Sequence, residues 1–226
     1  MNLAVEPYNS NGRNSSIVGT PLFDLMDANE VFADATPEHI LRHALSHSER
    51  PLISSSFSSY SAALLHRVQK IRPDITVLWC DTGFNTSATY RFVDQLVARL
   101  HLNLKIYHPR FSATHLQARY REIPAPGTAG YEEFTRTVKL EPLARAFADL
   151  QPDLWITGIR REETEFRKTQ NIFTWDAGRS VTKVAPTFYS STQNLVDYLV
   201  QHDLPAELDY FDPTKPDEHL ECGLHY

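Results

Sequence analysis

The run Pro51-Leu52-Ile53-Ser54-Ser55-Ser56-Phe57-Ser58-Ser59-Tyr60-Ser61, followed by IRPDITVLWCDTG at residues 71–83, decides the fold class. Residues 52–57 read as a strand whose apolar start gives way to hydroxyls, and residues 61–71 carry a helical apolar period. The pattern then repeats outward. Residues 75–80 form a second apolar strand, 87–102 a helix, and 104–108 a third strand. Further on, 154–157 and 181–185 read as strands and 194–201 as a helix. Strands alternating with helices of about ten or more residues imply right-handed crossovers and a parallel sheet covered on both faces, an α/β three-layer architecture. Such sheets bind ligands at the carboxyl ends of their strands.

Those ends carry the chemistry. Ser54, Ser55 and Ser56 stand between a strand and a helix, where backbone N–H groups and the helix dipole attract phosphate, although serine-rich turns also simply cap helices. Asp81, Thr82 and Gly83 follow the second strand. The carboxylate there can accept from a ribose or a base amine, or merely start a turn. After the strand at 154–157 comes Gly158-Ile159-Arg160-Arg161-Glu162-Glu163, then Arg167 and Lys168. Arg160 and Arg161 suit bidentate capture of phosphate or sulfate, or equally pair with Glu162, Glu163 and Glu165 at the surface. Lys139 and Lys183 are additional candidate cations for an anion site.

Composition narrows the class. The chain has 226 residues, 42% hydrophobic and 22% charged, which fits one globular domain. Residues 1–19, rich in Asn, Ser and Gly, are expected to be disordered, with residues 20–203 forming the domain and 204–226 a mobile C-terminal tail. No run approaches the roughly 18 apolar residues of a membrane span, and the polar start lacks a secretion signal, so a cytoplasmic location without membrane attachment is expected. A net charge of −6 argues against long nucleic acid as a partner. Two cysteines are too few for a disulfide framework, and Cys80 in its apolar strand reads as a buried, inert thiol. His39, His43 and His47 share a helical face after the Thr36-Pro37 helix start and read as a solvent-facing stripe rather than a metal site.

The last six residues, Glu221-Cys222-Gly223-Leu224-His225-Tyr226, place the second cysteine on the tail. A thiol attacks as thiolate, and a mobile segment can carry it into a cationic pocket and then expose it to a second thiol. His219, Cys222 and His225 are spaced three apart, but Gly223 and the terminal position disfavour the helix that would make them metal ligands, so no metal is expected.

The motifs SSSF (54–57), IRPDITVLWCDTG (71–83), TYRFVDQL (89–96), LNLKIYH (102–108), KLEPLARA (139–146), GIRREE (158–163) and ECGLH (221–225) together resemble the 3′-phosphoadenylylsulfate (PAPS) reductases, the thioredoxin-dependent assimilatory enzymes. The resemblance covers about residues 52–204 and resumes at the tail. It implies the adenine-nucleotide alpha-hydrolase-like (PP-loop) fold, a homodimer, and reduction of the activated sulfate ester to sulfite and adenosine 3′,5′-bisphosphate. It also implies that Cys222 attacks the sulfur to form an S-sulfocysteine, accompanied by His225, and that thioredoxin or glutaredoxin releases sulfite. By position, Ser54, Ser55 and Ser56 match the nucleotide loop, Asp81, Thr82 and Gly83 the second loop, and Lys139, Gly158, Arg160 and Arg161 the substrate site.

The cysteine count points to one branch. The adenylylsulfate-reducing relatives carry extra, tandem cysteines for an iron–sulfur cluster, and neither Cys80 nor Cys222 has a cysteine neighbour, so no cluster is expected. Three departures stand out. Ser58 replaces the glycine usual after SSSF, removing a conformational freedom that glycine supplies. Ala88 replaces a usual glutamate before Thr89-Tyr90. The connector at 204–221 is short and holds six carboxylates against one lysine, Lys215, which predicts repulsion of a polyanionic ester and a raised Cys222 pKa. Two alternatives stay open: a non-reducing member that binds an adenylated anion as a sensor or regulatory subunit, and an ATP-using PP-loop enzyme, against which the missing SGGxDS-type loop speaks.

Overall fold

A computed structural model describes residues 19–215. Its elements are α1 (Leu25–Val31), α2 (Pro37–Ser46), β1 (Pro51–Ser54), α3 (Ser61–Ile71), β2 (Thr76–Cys80), α4 (Ser87–Leu100) and β3 (Asn103–Tyr107). The chain continues with α5 (Ala113–Tyr120), α6 (Ala129–Thr135), a π-helical turn (Arg136–Leu140), α7 (Glu141–Leu150), β4 (Leu154–Ile156), α8 (Glu165–Lys168), β5 (Phe173–Asp176), β6 (Val181–Val184) and α9 (Thr192–Gln201). The six strands form one sheet in the order β3-β2-β1-β4-β6-β5.

The sheet grows from β1. It pairs in parallel with β2 (Ile53 opposite Val77) on one side and β4 (Ile53 opposite Ile156) on the other. Pro51, Leu52 and Ile53 are buried, as expected of a strand covered on both faces. Alternate side chains go to opposite layers. Ile53, Val77, Leu154 and Ile156 join the larger cluster beneath α2, α3, α4 and α9. Leu52, Leu78 and Trp155 join a smaller one capped by Leu143, Ala146 and Phe147 of α7. Each such side chain, fully buried, contributes about 1.5–3 kcal/mol of transfer free energy.

One edge departs from the expected all-parallel sheet. β5 runs antiparallel to β6. Only four residues separate them, too few for a crossover helix. The turn is held by Asp176, whose carboxylate accepts from the Arg179 N–H at 3.0 Å and pairs with its guanidinium at 2.7 Å. The outer side of β5 is covered by α1. The Asn29 side chain donates to the Phe173 carbonyl at 2.9 Å and accepts from the Phe173 N–H at 3.0 Å, as a neighbouring strand would.

Other differences from the sequence reading have local causes. β1 ends at Ser54 rather than 57, because the Ser55 hydroxyl accepts from the Phe57 N–H at 3.0 Å and turns the chain. The left-handed residue of this loop is Phe57 (φ 54°), with its ring fully buried against Trp79; Ser58 is not strained. Helix α4 stops at Leu100 because His101 adopts the left-handed conformation that closes the helix. The histidine stripe is not solvent-facing throughout: His43 packs among Phe23, Phe32 and Phe173, while His39 and His47 are exposed. The disorder expected for residues 1–19 falls, except for Gly19, outside the described residues.

The carboxylate of Asp153 staples the start of β1 to the start of β4. It accepts from the backbone N–H groups of Glu49 (3.0 Å) and Arg50 (3.1 Å) and from the Ser48 hydroxyl. Asp153→Ala is expected to lower the free energy of unfolding by about 1.5–3 kcal/mol, the range for charge-assisted hydrogen bonds, as read from urea melts.

Burial, then the neighbouring His47 charge, lowers the pKa of His43 from its ordinary 6.5 against a weaker opposing effect of Asp27. Burial, followed by His202 and nearby Lys and Arg charges, lowers that of His66. A depressed histidine contributes stability above its unfolded pKa, and this is lost as pH falls from about 6.5 through the lower folded value. Stability measured by urea melts should therefore drop between pH 7 and pH 5, and His43→Phe should reduce that drop. An unchanged pH dependence in the variant would exclude His43 as a source.

Candidate active site

The chain reverses its direction of sheet growth at β1, adding β2 and β3 on one side and then returning to place β4 on the other. A crevice at the carboxyl ends of β1 and β4 follows from that topology. The register sets Ser54 opposite Leu78, and Ile53 opposite Ile156, so the loops that leave β1, β2 and β4 emerge side by side. Ser54, Ser55, Ser56, Asp81, Thr82, Gly83, Gly158, Arg160 and Arg161 are thereby brought to one edge.

The loop after β1 brings hydroxyls and a helix start together, groups that suit an anion. The Ser55 N–H continues the sheet by donating to the Leu78 carbonyl at 2.9 Å. The Ser54 hydroxyl accepts from Trp155 Nε1 at 2.8 Å, leaving its own proton for another acceptor. Helices α1, α2, α4, α5, α6, α8 and α9 each have a side-chain N-cap; α7 continues from the π-helical turn without one, and α3 starts from a loop without one. Of its first-turn N–H groups, those of Ser61 and Ala63 donate to the Ser58 and Tyr60 carbonyls at 2.9 and 3.1 Å, so an outside acceptor would meet chiefly the Ala62 N–H and the positive end of the helix dipole. The hydroxyl of Ser61, the first residue of α3, is buried without a partner among the described residues.

Asp81 is the hub of the second loop. Its nearly buried carboxylate accepts from the Gly83 N–H (2.9 Å), Asn85 Nδ2 (2.7 Å) and the Tyr90 hydroxyl (3.1 Å), with His108 Nδ1 at 3.4 Å. Of the two roles open to Asp81 from sequence, the structure displays turn initiation. Burial first, then the Asp81 charge, pushes Tyr90 up to about 12, so it stays a neutral phenol donor. Gly83 has φ +80°, and a Cβ there would stand 3.3 Å from that of Ala113, so the close turn requires glycine. Phe57, Trp79 and Tyr90 meet edge to face, with centroids 5.3 and 5.7 Å apart, joining the two loops through one aromatic row.

The arginines diverge. Arg160 is buried, ion-paired with Glu162 and Glu163, and donates to Thr192 Oγ1 at 3.0 Å. Arg161 is exposed, 5.8 Å from the Tyr189 ring centroid. Arg167 is buried against Glu163, and Lys168 pairs with Glu165 at the surface. Lys183 lies on β6, 5.1 Å over the Trp155 ring. Carboxylate pairing, the alternative to phosphate capture, thus holds for Arg160. Lys139 is buried in the π-helical turn, a helix irregularity of the kind found at functional sites, close enough to Cys80 for its charge to act there. Its ammonium is ion-paired with Asp212 and hydrogen-bonded to Thr214 Oγ1 at 3.0 Å. Burial pushes the Cys80 thiol up to about 12, more than Lys139 and Arg145 lower it, which matches the inert reading.

Residues 204–215 run across this edge. Glu207 N–H donates to the Ser59 carbonyl at 3.4 Å, the Asp209 carbonyl accepts from Thr86 Oγ1 at 3.0 Å, and the Thr214 carbonyl accepts from the Tyr131 hydroxyl at 2.7 Å. Asp212 and Thr214 were not apparent as site residues in the sequence. Their available signal is Asp212-Pro213-Thr214-Lys215, a turn sequence, whose carboxylate accepts from the Thr214 N–H at 2.9 Å. Cys222 and His225, with the proposed nucleophilic chemistry and the His219 spacing, lie outside the described residues.

The family model of the phosphoadenosine phosphosulfate reductase domain matches residues 50–210. The phosphoadenosine 5′-phosphosulfate reductase of Xylella fastidiosa strain M12 is 36% identical over 228 residues, covering 91% of this chain and 95% of the relative. That of Shewanella oneidensis is 37% identical over 196 residues, covering 77% and 79%. Among solved structures, the phosphate complex of phosphoadenylyl-sulfate reductase from Candida auris superposes with TM-score 0.70 at 18% identity, covering 80% of this chain and 87% of that one. An FMN adenylyltransferase from Candida glabrata bound to ATP reaches 0.55 at 10% identity, covering 84% and 61%. At these identities the two structures speak for the fold alone, which is the expected PP-loop type. The family match and the length of the sequence relationships carry the assignment: the chain belongs to the phosphoadenosine phosphosulfate reductase family.

Proposed function

We propose that the chain is a phosphoadenylyl-sulfate reductase of sulfate assimilation, converting 3′-phosphoadenylylsulfate to sulfite and adenosine 3′,5′-bisphosphate. The observation that carries this reading is the uncapped start of α3 beside Ser54–Ser56, facing the Asp81 loop and the Arg160 segment, in a chain of this family. The Ser54, Ser55 and Ser56 loop and the α3 N-terminus would hold a phosphate of the nucleotide. Asp81, Thr82 and Gly83 shape the neighbouring wall. Lys139, Gly158, Arg160 and Arg161 supply the sulfate side, where cations stabilise the charge that builds on the leaving phosphate.

The Cys222 thiolate would attack the sulfate sulfur. Its Sγ–S bond forms as the S–O bond to the phosphate breaks, leaving S-sulfocysteine and the bisphosphate. A thiolate of thioredoxin or glutaredoxin then attacks Sγ and expels sulfite, and its second thiol resolves the mixed disulfide, so the donor supplies both electrons. His225 would lie beside the nucleophile. Within one chain, two cysteines cannot supply the four thiolates of an iron–sulfur cluster, and this reaction needs none. A homodimer in the cytoplasm, without nucleic acid or membrane as a partner, completes the proposal. Among the described residues no helix is long and apolar enough to cross a membrane.

Reduced protein mixed with 3′-phosphoadenylylsulfate should gain one sulfonate on the C-terminal peptide by intact mass, absent in Cys222→Ser and discharged as sulfite by reduced thioredoxin. Nucleotide binding without an adduct would overturn the reductase reading in favour of a non-reducing, anion-binding member. Adenylylsulfate should label more slowly if the 3′-phosphate is recognised.

Ser61→Ala removes a buried hydroxyl that has no partner among the described residues, so thermal stability should be unchanged or slightly raised. Its affinity for adenosine 3′,5′-bisphosphate should fall several-fold in calorimetry if this hydroxyl meets the phosphate. Unchanged affinity would remove Ser61 from the site.

A further inference from the structure

Lys139, a residue of the proposed sulfate side, is already engaged with a carboxylate. Asp212 and Lys139 have side chains only 8% and 7% exposed, and Thr214, fully buried, bridges them: it accepts from the Lys139 ammonium at 3.0 Å and donates to Asp212 Oδ1 at 2.6 Å. The pair closes residues 204–215 over the edge, with further bonds to Ser59 beside the first loop, Thr86 after the second, and Tyr131. All of these contacts depend on one short segment. That segment leads directly to the tail: Cys222 is eight residues beyond Thr214, a reach of about 26 Å when extended.

We infer that Asp212 is a stand-in for the substrate's anionic group on Lys139, so that binding of a phosphate or sulfate ester displaces the carboxylate and releases the 204–215 strap. The inference rests on the proposed nucleotide site. Asp212 and Thr214 both accept from the Lys139 ammonium. A phosphate brought to the same lysine would place its negative charge beside the Asp212 carboxylate in a poorly solvated setting, where like charges repel strongly. Protonation does not relieve the conflict: burial pushes the Asp212 pKa up, but the Lys139 charge and the hydrogen bonds from Lys139 and Thr214 outweigh it and hold the group below its ordinary value. The carboxylate stays ionised and must move. A bare lysine buried without an anion is costly, so the exchange of one anion for another keeps Lys139 paired in both states. The acidic tail segment, expected to repel the ester, thus has one carboxylate that acts as a placeholder.

The test uses the full chain with adenosine 3′,5′-bisphosphate and with inorganic sulfate as probes. Hydrogen exchange of the 207–215 backbone, including the Thr214 N–H, should speed up in wild type when either probe saturates Lys139. Asp212→Asn should show the fast exchange without any probe and should bind the probes more tightly, by on the order of tenfold, because no charge-assisted bond has to be broken first. Thr214→Val keeps the side-chain shape and should shift both readouts in the same direction by less, which protects the test if Asp212→Asn does not fold. Probe binding with strap exchange unchanged or slowed would overturn the placeholder role and leave the nucleotide site intact. Weaker binding by a folded Asp212→Asn would also overturn it, since Asp212 would then be supporting Lys139 in place. Failure of wild type and variants alike to bind either probe would overturn the nucleotide site itself, and the placeholder with it.

Discussion

Everything in this fold depends on β1 having a parallel neighbour on each side while being covered on both faces. A strand in that position has no tolerance for polar groups along its length, and Pro51, Leu52 and Ile53 are accordingly buried. Hydroxyls begin at Ser54, where the last rung with β2 is made. Because β2 and β4 run the same way as β1, their polar ends are forced to the same edge. The candidate active-site edge is therefore a direct result of a packing rule, and its residues come from segments about 25 and 100 positions apart in the chain.

The electrostatics of that edge follow a second rule, that a buried charge is tolerated only with a partner. Arg160 and Arg167 share Glu163, and Lys139 holds Asp212. These cations are thus kept in place by internal carboxylates before any ligand arrives. The same desolvation keeps two neighbouring groups protonated: Tyr90 remains a phenol and Cys80 a thiol.

The strand and helix alternation from β1 to β3 is legible in the sequence because each element is long enough to show its period. The loops of the site are legible for the same reason, since Ser54–Ser56, Asp81–Gly83 and Gly158–Arg161 fall at the ends of clear strands. Residues 109–150 carry no such alternation, and there the structure adds α5, α6, the π-helical turn and α7. β5 is hidden because its four residues, Phe-Thr-Trp-Asp, are too few to separate a strand from a loop. The Lys139–Asp212 pair is hidden for a different reason. Its partners are 73 residues apart, and only the tertiary fold brings the turn at Asp212 onto the π-helical segment. The left-handed turn at Phe57 shows a further limit: glycine is the usual bearer of such a conformation, and here a fully buried aromatic ring holds it instead.

The bidentate contact between Asn29 and Phe173 has a consequence for association. A bare edge strand is a template onto which another chain can add, and natural proteins block such edges. Here a single carboxamide occupies the outward-facing N–H and C=O of Phe173, and α1 lies alongside. The sheet is thereby finite on the β5 side, and the opposite border, β3, places Lys105 in the middle of its five residues. Two copies of this chain are thus kept from fusing into one continuous sheet at β5, and any stable pairing through that side has to be made by helices and loops.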